Sequence, residues 1–343
     1  MADTTPQARS GEGPRGEGPP GELPAGGSPV PGTGGTAVQT EPSSPVEREF
    51  TVAARTQTQM VIRRFLAHRL AVASLVIFVI IVAGSLGGAR LWKYNYADIT
   101  REFSTPPSLA HPFGTDDIGH DTLAQVLRGA QKSVQVALVV ALLATSFGAV
   151  LGAVAGYYRG VIDSLLMRFT DLVLTIPLLA IAGLLAGTIG GGDWFVIAIV
   201  IASVSWMSIA RVVRGTFLSL REKEFVDAAR ALGATDRRII FRHLLPNATG
   251  SIIVNATITV AVAILVETAL TFLGLGIRPP DTSLGLLVST GQQAAQTRPW
   301  LFYFPGLVII MIALTVNFIG DGLRDAFDPR QQRVGNCCCC TER

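Results

Sequence analysis

The sequence has few charged residues, few histidines and only four cysteines, and each scarcity excludes a class of protein. Charged residues make up 15% of the 343 positions and hydrophobic residues 49%, a balance that excludes an ordinary soluble enzyme and indicates a membrane protein. The cysteines are consecutive and provide no intramolecular disulfide framework. The simpler interpretation of the run is a solvated tail, and the alternative is a redox or metal role. Its members are Cys337, Cys338, Cys339 and Cys340.

Motifs for nucleotide binding and hydrolysis are also missing. The sequence contains no G-x-x-x-x-G-K-[ST] phosphate-binding loop, no H-E-x-x-H zinc motif and no G-x-S-x-G nucleophile motif. We therefore predict no catalytic residue, no metal site and no cofactor bound by this chain. The basic residues lie in short segments between apolar runs, where they set membrane orientation better than they would bind nucleic acid.

Composition divides the chain into three parts. The first 47 residues hold 9 of the 19 prolines and 10 of the 36 glycines, and the first 50 carry a net charge of −4, which leaves +7 for the remainder. Such a segment cannot bury enough apolar surface to fold alone. We predict a disordered cytoplasmic tail over residues 1–59, a membrane domain over 60–330 and a short cytoplasmic tail over 331–343.

Six apolar runs reach or approach the roughly 20 residues that a helix needs to cross a bilayer. Gly148, Gly152 and Gly156 recur at every fourth position of the second run, a spacing that favours close packing of helices over a role in lining a pore. We predict an all-α, polytopic membrane protein with six transmembrane helices. The predicted spans are about 70–87, 134–156, 172–190, 194–210, 252–275 and 300–319.

The distribution of basic residues predicts the orientation of these spans. If the amino terminus is cytoplasmic, 21 of the 28 basic residues lie in inner segments and seven in outer segments. Inner loops of membrane proteins carry an excess of lysine and arginine. Both termini are therefore expected in the cytoplasm.

One acidic side chain interrupts the predicted spans. Glu267 lies near the outer end of the fifth span, and it is either a candidate gate or a carboxylate held by neighbouring helices. An ion-coupled secondary transporter that works without an ATPase partner is the alternative function, but such transporters usually need more than one ionisable group at mid-membrane.

The outer loop after the first span concentrates polar residues. Metal ligation by this cluster is one interpretation, although the spacing is poor. In the other, Asp116 and Asp117 form a turn and Asp121 caps a helix that begins beside it. Contact with a binding protein is compatible with both. The cluster consists of His111, Asp116, Asp117, His120 and Asp121.

The longest inner segment, RVVRGTFLSLREKEFVDAARALGATDRRIIFRHLLPNATG, reads as helix, glycine turn and helix. Gly233 is expected to end the first helix, Thr235 or Asp236 to begin the second, and Pro246 to stop it. Its apolar stripe, flanked by arginines, suits a groove on a partner protein. The alternative is a helix lying on the anionic lipid surface. The stripe consists of Phe225, Ala228, Ala229 and Leu232.

Within this segment, Asp227-Ala228-Ala229-x3-Gly233-x9-His243-x-Leu-Pro246 resembles the E-A-A-x3-G-x9-I-x-L-P loop of ABC importer permeases. The spacing matches throughout, while Asp227 replaces the usual Glu and His243 the frequent Ile. The resemblance implies a coupling loop over residues 221–247 that docks an ATP-hydrolysing subunit.

Further segments resemble the C-type subunit of the dipeptide, oligopeptide and nickel permeases. They include HPFGTDDIGHDTLAQVLRGAQKSV, GYYRGVIDSLLMRFTDLVLTIP and ETALTFLGLGIRPPDTSLG. The resemblance covers about residues 60–330 and implies the type I ABC importer permease fold. It also implies a homologous second permease subunit, two ATP-binding subunits that use the ATP, and an extracytoplasmic solute-binding protein, in a bacterial-type cytoplasmic membrane.

Overall fold

The computed structural model describes residues 57–190 and 192–327, and these ranges are mostly helical and contain no extended strand, only isolated bridges in one loop. The predicted amino-terminal tail up to residue 56 and the four cysteines lie outside the described residues.

The described helices follow one another with short connections, except for one long loop over residues 92–121. In chain order they are α1 (Gln57–Ala67), α2 (Arg69–Leu91), α3 (Thr122–Tyr158), α4 (Gly160–Leu174), α5 (Leu178–Ile189), α6 (Trp194–Arg221), α7 (Glu224–Ala231), α8 (Asp236–Arg238), a π-helical segment (Ile239–Leu244), α9 (Leu245–Phe272), α10 (Leu284–Ala294) and α11 (Trp300–Phe327).

Five helical stretches among the described residues are long and apolar enough to cross a membrane, or six if α4 and α5 count as one bent span. The five are Arg69–Gly88, Thr122–Tyr158, Trp194–Arg221, Asp236–Phe272 and Trp300–Phe327. Most extend beyond the apolar runs that mark them in the sequence, because polar helical turns continue at their ends.

The third expected span differs from a straight helix over 172–190. The chain bends by 86° between α4 and α5. Pro177 stands at the amino-terminal cap of α5; it has no backbone N–H to continue the α4 ladder, and its ring disfavours helical backbone at Ile176. The break therefore follows from one proline that an apolar count does not weigh.

Glycines bring α3 and α6 into direct backbone contact. A Cβ at Gly148 would lie 2.6 Å from the carbonyl oxygen of Trp206, and one at Gly156 would lie 2.7 Å from the Cβ of Phe217. A larger residue would push the helices apart, so this stripe serves packing, as its spacing predicts.

Two apolar clusters fill the helical bundle. One joins α3, α5, α6, α9, α10 and α11 towards the end of the bundle that carries the loop 92–121. The other joins α3, α6, α7, the π-helical segment and the start of α9 at the opposite end. We call these the loop end and the hairpin end, and α3 runs from the first to the second.

Candidate functional site

The segment over residues 222–244 forms a helical hairpin, with α7 as its first arm and α8 with the π-helical segment as its second. Gly233 has a φ of +76°, its N–H donates to the carbonyl of Arg230, and the N–H of Ala234 donates to that of Ala229. This is the paired bonding of a Schellman motif, in which glycine adopts the left-handed backbone without strain. The expected end of the helix is confirmed.

The predicted apolar stripe of α7 is divided between two faces. Ala229 is buried with Val226 in the apolar cluster of the hairpin end. Phe225 and Ala228 are exposed, Leu232 is 89% exposed and, on the second arm, Phe241 is 62% exposed. The hairpin is thus attached to the bundle by one face and presents apolar side chains on the other, which we call the exposed stripe.

The remaining residues of the motif flank this stripe. Asp227 is exposed, and its carboxylate accepts a hydrogen bond from Arg230 at 3.3 Å. His243 is half-buried, and its carbonyl accepts a hydrogen bond from the Asn247 amide at 2.7 Å. Asp227 and Ala228 are therefore free to meet a partner protein, whereas His243 faces partly into the chain itself.

The expectation that Pro246 stops the second helix is wrong. Helical backbone continues from Asp236 to Phe272, with Pro246 in the first turn of α9. The π-helical segment Ile239–Leu244 comes directly before it, and the N–H of Leu245 bonds to the carbonyl of Ile240. This wider turn relieves the clash of a proline ring with the carbonyl four residues earlier, so the helix passes through the proline.

Sequence reasoning missed the contact between the hairpin and α3. The Tyr157 hydroxyl donates a hydrogen bond to the Asp236 carboxylate at 2.5 Å across 79 residues of sequence. No local sequence pattern pairs these two residues. Tyr157 lies in the last turn of α3 and Asp236 directly after the cap of α8 at Thr235, and only the fold brings the two positions together.

Glu267 lies fully buried near the loop end of α9. Its two carboxylate oxygens accept hydrogen bonds from Ser133 and Thr271, both at 3.0 Å. Ser133 also accepts a hydrogen bond from the backbone N–H of Leu284 at 3.4 Å. The carboxylate therefore links α3 and α9 directly, and the start of α10 through Ser133.

The loop 92–121 is held by buried polar contacts. The Asp121 carboxylate accepts hydrogen bonds from His111 Nδ1 at 2.7 Å, and from Trp92 Nε1 and the N–H of Ala124 at 2.9 Å each. The ring of Tyr94 stacks on His111 with centroids 4.6 Å apart. The expected cap of α3 by Asp121 is confirmed.

Asp116 and Asp117 lie earlier in this loop, where Asp116 forms a turn. One Asp116 oxygen accepts hydrogen bonds from the backbone N–H groups of Ile118, Gly119 and His120, and the other accepts one from the His120 ring at 2.8 Å. Asp117 is exposed. Within the part of the chain that the structure describes, no three histidine, cysteine or acidic side chains are grouped to hold a metal ion.

A further ionic cluster lies at the loop end, where the connection between α9 and α10 meets α3. Asp281 pairs with Lys132 at 2.6 Å and with Arg128 at 3.1 Å. Burial of the Asp281 carboxyl opposes its ionisation, but the hydrogen bonds and positive charges of Lys132 and Arg128 outweigh it and lower its pKa below the ordinary value.

Comparison with known proteins identifies the family. Residues 148–333, more than half of the chain, match the family model described as "Binding-protein-dependent transport system inner membrane component". The chain belongs to this family. Residues 56–111 match a second model, the "N-terminal TM domain of oligopeptide transport permease C".

Relatives of this permease carry similar names. It is 42% identical to the oligopeptide transport system permease protein OppC of Mycobacterium tuberculosis (strain ATCC 25618 / H37Rv), over 80% of this chain and 95% of the relative. It is 37% identical to OppC of Haemophilus influenzae, over 83% of this chain and 92% of the relative. A solved structure of the MetNI methionine ABC transporter aligns with a TM-score of 0.49 and 20% identity, covering 60% of this chain and 96% of that one.

The chain is thus a multi-pass membrane permease of an ABC importer. In this permease the residues singled out from the sequence lie at opposite ends of the bundle. Asp227, Ala228 and Gly233 belong to the hairpin, whereas Glu267 and the His111–Asp121 contact belong to the loop end.

Proposed function

We propose that this permease passes di- and oligopeptides, or a related solute such as nickel, inward across a bacterial-type cytoplasmic membrane, and that ATP is hydrolysed by separate subunits docked on its hairpin. The peptide assignment is supported by relatives that are named oligopeptide permeases. The docking assignment rests on the exposed stripe beside the Gly233 turn. A homologous second permease subunit, two ATP-binding subunits and an extracytoplasmic solute-binding protein complete the proposed transporter.

The stripe is the observation that carries the docking proposal. Leu232 and Phe241 are large apolar side chains left mostly in solvent, while Val226 and Ala229 of the same hairpin are buried. Exposed apolar side chains with a charged rim are typical of a protein interface. Insertion of α7 into a groove of an ATP-binding subunit would cover them. His243 and Pro246 are included in the proposed docking segment because they lie where the second arm continues into α9.

Orientation follows from the same proposal. The hairpin end is cytoplasmic, because it carries the inner basic segments that hold most of the 21 inner basic residues. The loop 92–121 then faces the binding protein on the outer side. Both termini lie in the cytoplasm in this arrangement, which matches the position of the ATP-binding subunits.

A docked hairpin gives ATP hydrolysis a mechanical path into the membrane. The second arm is continuous with α9, so helical backbone runs from Asp236 to Phe272 without a break. When the two ATP-binding subunits close on each other, a rigid movement of the hairpin would carry this helix with it. The role of Glu267 as a gate stays a prediction: separation of α9 from α3 at the loop end would require its carboxylate to release Ser133.

The docking proposal is tested at Gly233. Gly233→Val forces a β-branched residue into left-handed backbone, although the space around the position is open. We expect binding of the ATP-binding subunits and ATP-dependent uptake to fall about tenfold, since the strain amounts to about 1–2 kcal/mol or more. Co-purification of the subunits and uptake into vesicles measure this.

Gly215→Val is the matched control. Gly215 lies in α6 with regular helical backbone and equally open surroundings. The control should retain subunit binding and uptake. Wild-type binding and uptake by Gly233→Val would overturn the docking proposal, and uptake by the chain alone, driven by an ion gradient, would overturn the ABC mechanism.

A further inference from the structure

The last turn of α3 is tied to the second arm of the hairpin through one hydroxyl group. Tyr157 is 4% exposed, and its hydroxyl donates to Asp236, the first residue of α8, at 2.5 Å. A hydrogen bond to a charged group is stronger and more directional than an apolar contact.

Other contacts fix the tyrosine itself. Arg221, at the end of α6, donates to the carbonyl of Tyr157, and its guanidinium lies over the Tyr157 ring, 5.4 Å from the centroid. The ring belongs to the apolar cluster that also buries Phe217 and Val226. The hydroxyl is therefore held in place by α3 and α6 and points at the hairpin.

The helix that carries Tyr157 reaches the opposite end of the protein. α3 has 37 residues, a length of about 55 Å at 1.5 Å per residue. Its first turn is capped by Asp121, the residue that gathers His111 and Trp92 of the loop. A displacement of the hairpin that moves Tyr157 thus acts on one continuous helix whose far end organises the loop.

We propose that Tyr157 is a positioning residue that couples the hairpin to α3 and so links the ATP-binding subunits to the outer face. The inference rests on the proposed docking function. The exposed stripe holds the partner, while Val226 and Ala229 on the other face pack with Tyr157. The aromatic ring packs against the hairpin and keeps it attached, and the hydrogen bond of the hydroxyl fixes the orientation of the hairpin relative to α3.

The test uses the complete transporter in lipid vesicles. The binding protein is added together with the solute that it already carries. If both faces bias one movement of the chain, a binding protein on the outer face should change the state of the hairpin and so stimulate ATP hydrolysis on the inner face. Tyr157→Phe removes only the hydroxyl. We expect this stimulation to fall about tenfold, the effect of losing one hydrogen bond to a charged group. The amount of bound ATP-binding subunit and its unstimulated hydrolysis should stay at wild-type level.

Tyr158→Phe is the matched control, because Tyr158 is the exposed neighbour whose ring lies edge-on to that of Tyr157, 5.2 Å away. It should keep full stimulation. Asp236→Ala should reproduce the loss and add nothing to Tyr157→Phe in the double variant, whereas Asp236→Asn, which keeps an acceptor oxygen, should restore part of the stimulation.

The outcomes separate this inference from the function on which it rests. Full stimulation in Tyr157→Phe would overturn the coupling role. Loss of the ATP-binding subunits from Tyr157→Phe would show that the hydroxyl only stabilises the hairpin, and it would overturn the role as well. A wild-type chain that binds no ATP-binding subunit would instead contradict the proposed function.

Discussion

The loop 92–121 and the hairpin 222–244 lie at opposite ends of the same bundle and are held in place by different kinds of contact. The loop turns its polar groups inward, where Asp121 and His111 are buried and bonded to each other. The hairpin turns apolar groups outward, with Leu232 and Phe241 in solvent. The loop exposes apolar side chains as well, among them Leu109 and Ile99, so the two regions differ in what holds them. Buried polar bonds hold the loop together, whereas apolar contacts of Val226 and Ala229 attach the hairpin to the bundle.

The comparison also assigns different consequences to substitution. Changes at the buried polar groups of the loop should act on the stability of the chain, because they remove bonds within it. Changes on the exposed stripe should act on assembly, because the contacts they remove belong to a partner.

The largest expected effect comes from Asp121→Ala in the loop. The change removes the cap of α3 and leaves His111 and Trp92 without their acceptor. We expect a loss of about 3 kcal/mol in stability, the combined size of a helix cap and two buried hydrogen bonds. Thermal unfolding in detergent measures it. Asp121→Asn should lose less because its oxygen can still cap the helix, and an unchanged unfolding temperature for Asp121→Ala would contradict the comparison.

The next effect is expected on the exposed stripe. Leu232→Ser combined with Phe241→Ser should weaken binding of the ATP-binding subunits by at least about thirtyfold, since apolar anchors of an interface contribute about 1–2 kcal/mol each. The unfolding temperature should not change, because both side chains are exposed. Pull-down of the subunits and thermal unfolding are measured on the same sample.

Val226→Ala supplies the opposite case within the same hairpin, since Val226 is fully buried. It should lower the unfolding temperature through the lost packing. If the serine variants destabilise the chain and still bind the subunits, the stripe is part of the fold and not of an interface.

The smallest effect concerns the ionic cluster of Asp281 at the loop end. A folded-state pKa below the ordinary value of 3.8 means that the ionised carboxylate adds stability at higher pH, and that this stability is lost as the pH falls from about 4 through the folded pKa. We expect about 1 kcal/mol, because the cluster is partly exposed. Unfolding temperatures at pH 6 and pH 3 should differ less in Asp281→Asn than in the wild type, and equal differences would show that Asp281 adds nothing.

Features set by neighbouring residues were predictable from the sequence. Asp121 stands beside the first turn of α3 and Gly233 after the last turn of α7, and each satisfies backbone groups within a few residues of itself. The long apolar runs likewise indicate membrane helices by length alone.

Features set by distant residues were not predictable in the same way. The partner of Glu267 on α3, Ser133, lies 134 residues away, and Tyr157 meets Asp236 across 79. The division of the α7 stripe depends on the residues of α3 and α6 that share its apolar cluster. The helical spacing therefore predicts which residues are apolar, but not which of them are buried and which are exposed to a partner.

The π-helical segment before Pro246 also constrains how the chain can vary. A π-helical turn contains one residue more than an α-helical turn that closes the same hydrogen bond. Each residue of an α-helix corresponds to a rotation of about 100° around the helix axis. Removal of one residue from Ile239–Leu244 would let an ordinary turn form and would rotate the hairpin about the axis of α9 by that angle. Ile239 and Ile240 would leave the apolar cluster they now occupy. The length of this short stretch therefore sets the direction in which the hairpin faces, and insertions or deletions there should be tolerated far less than substitutions.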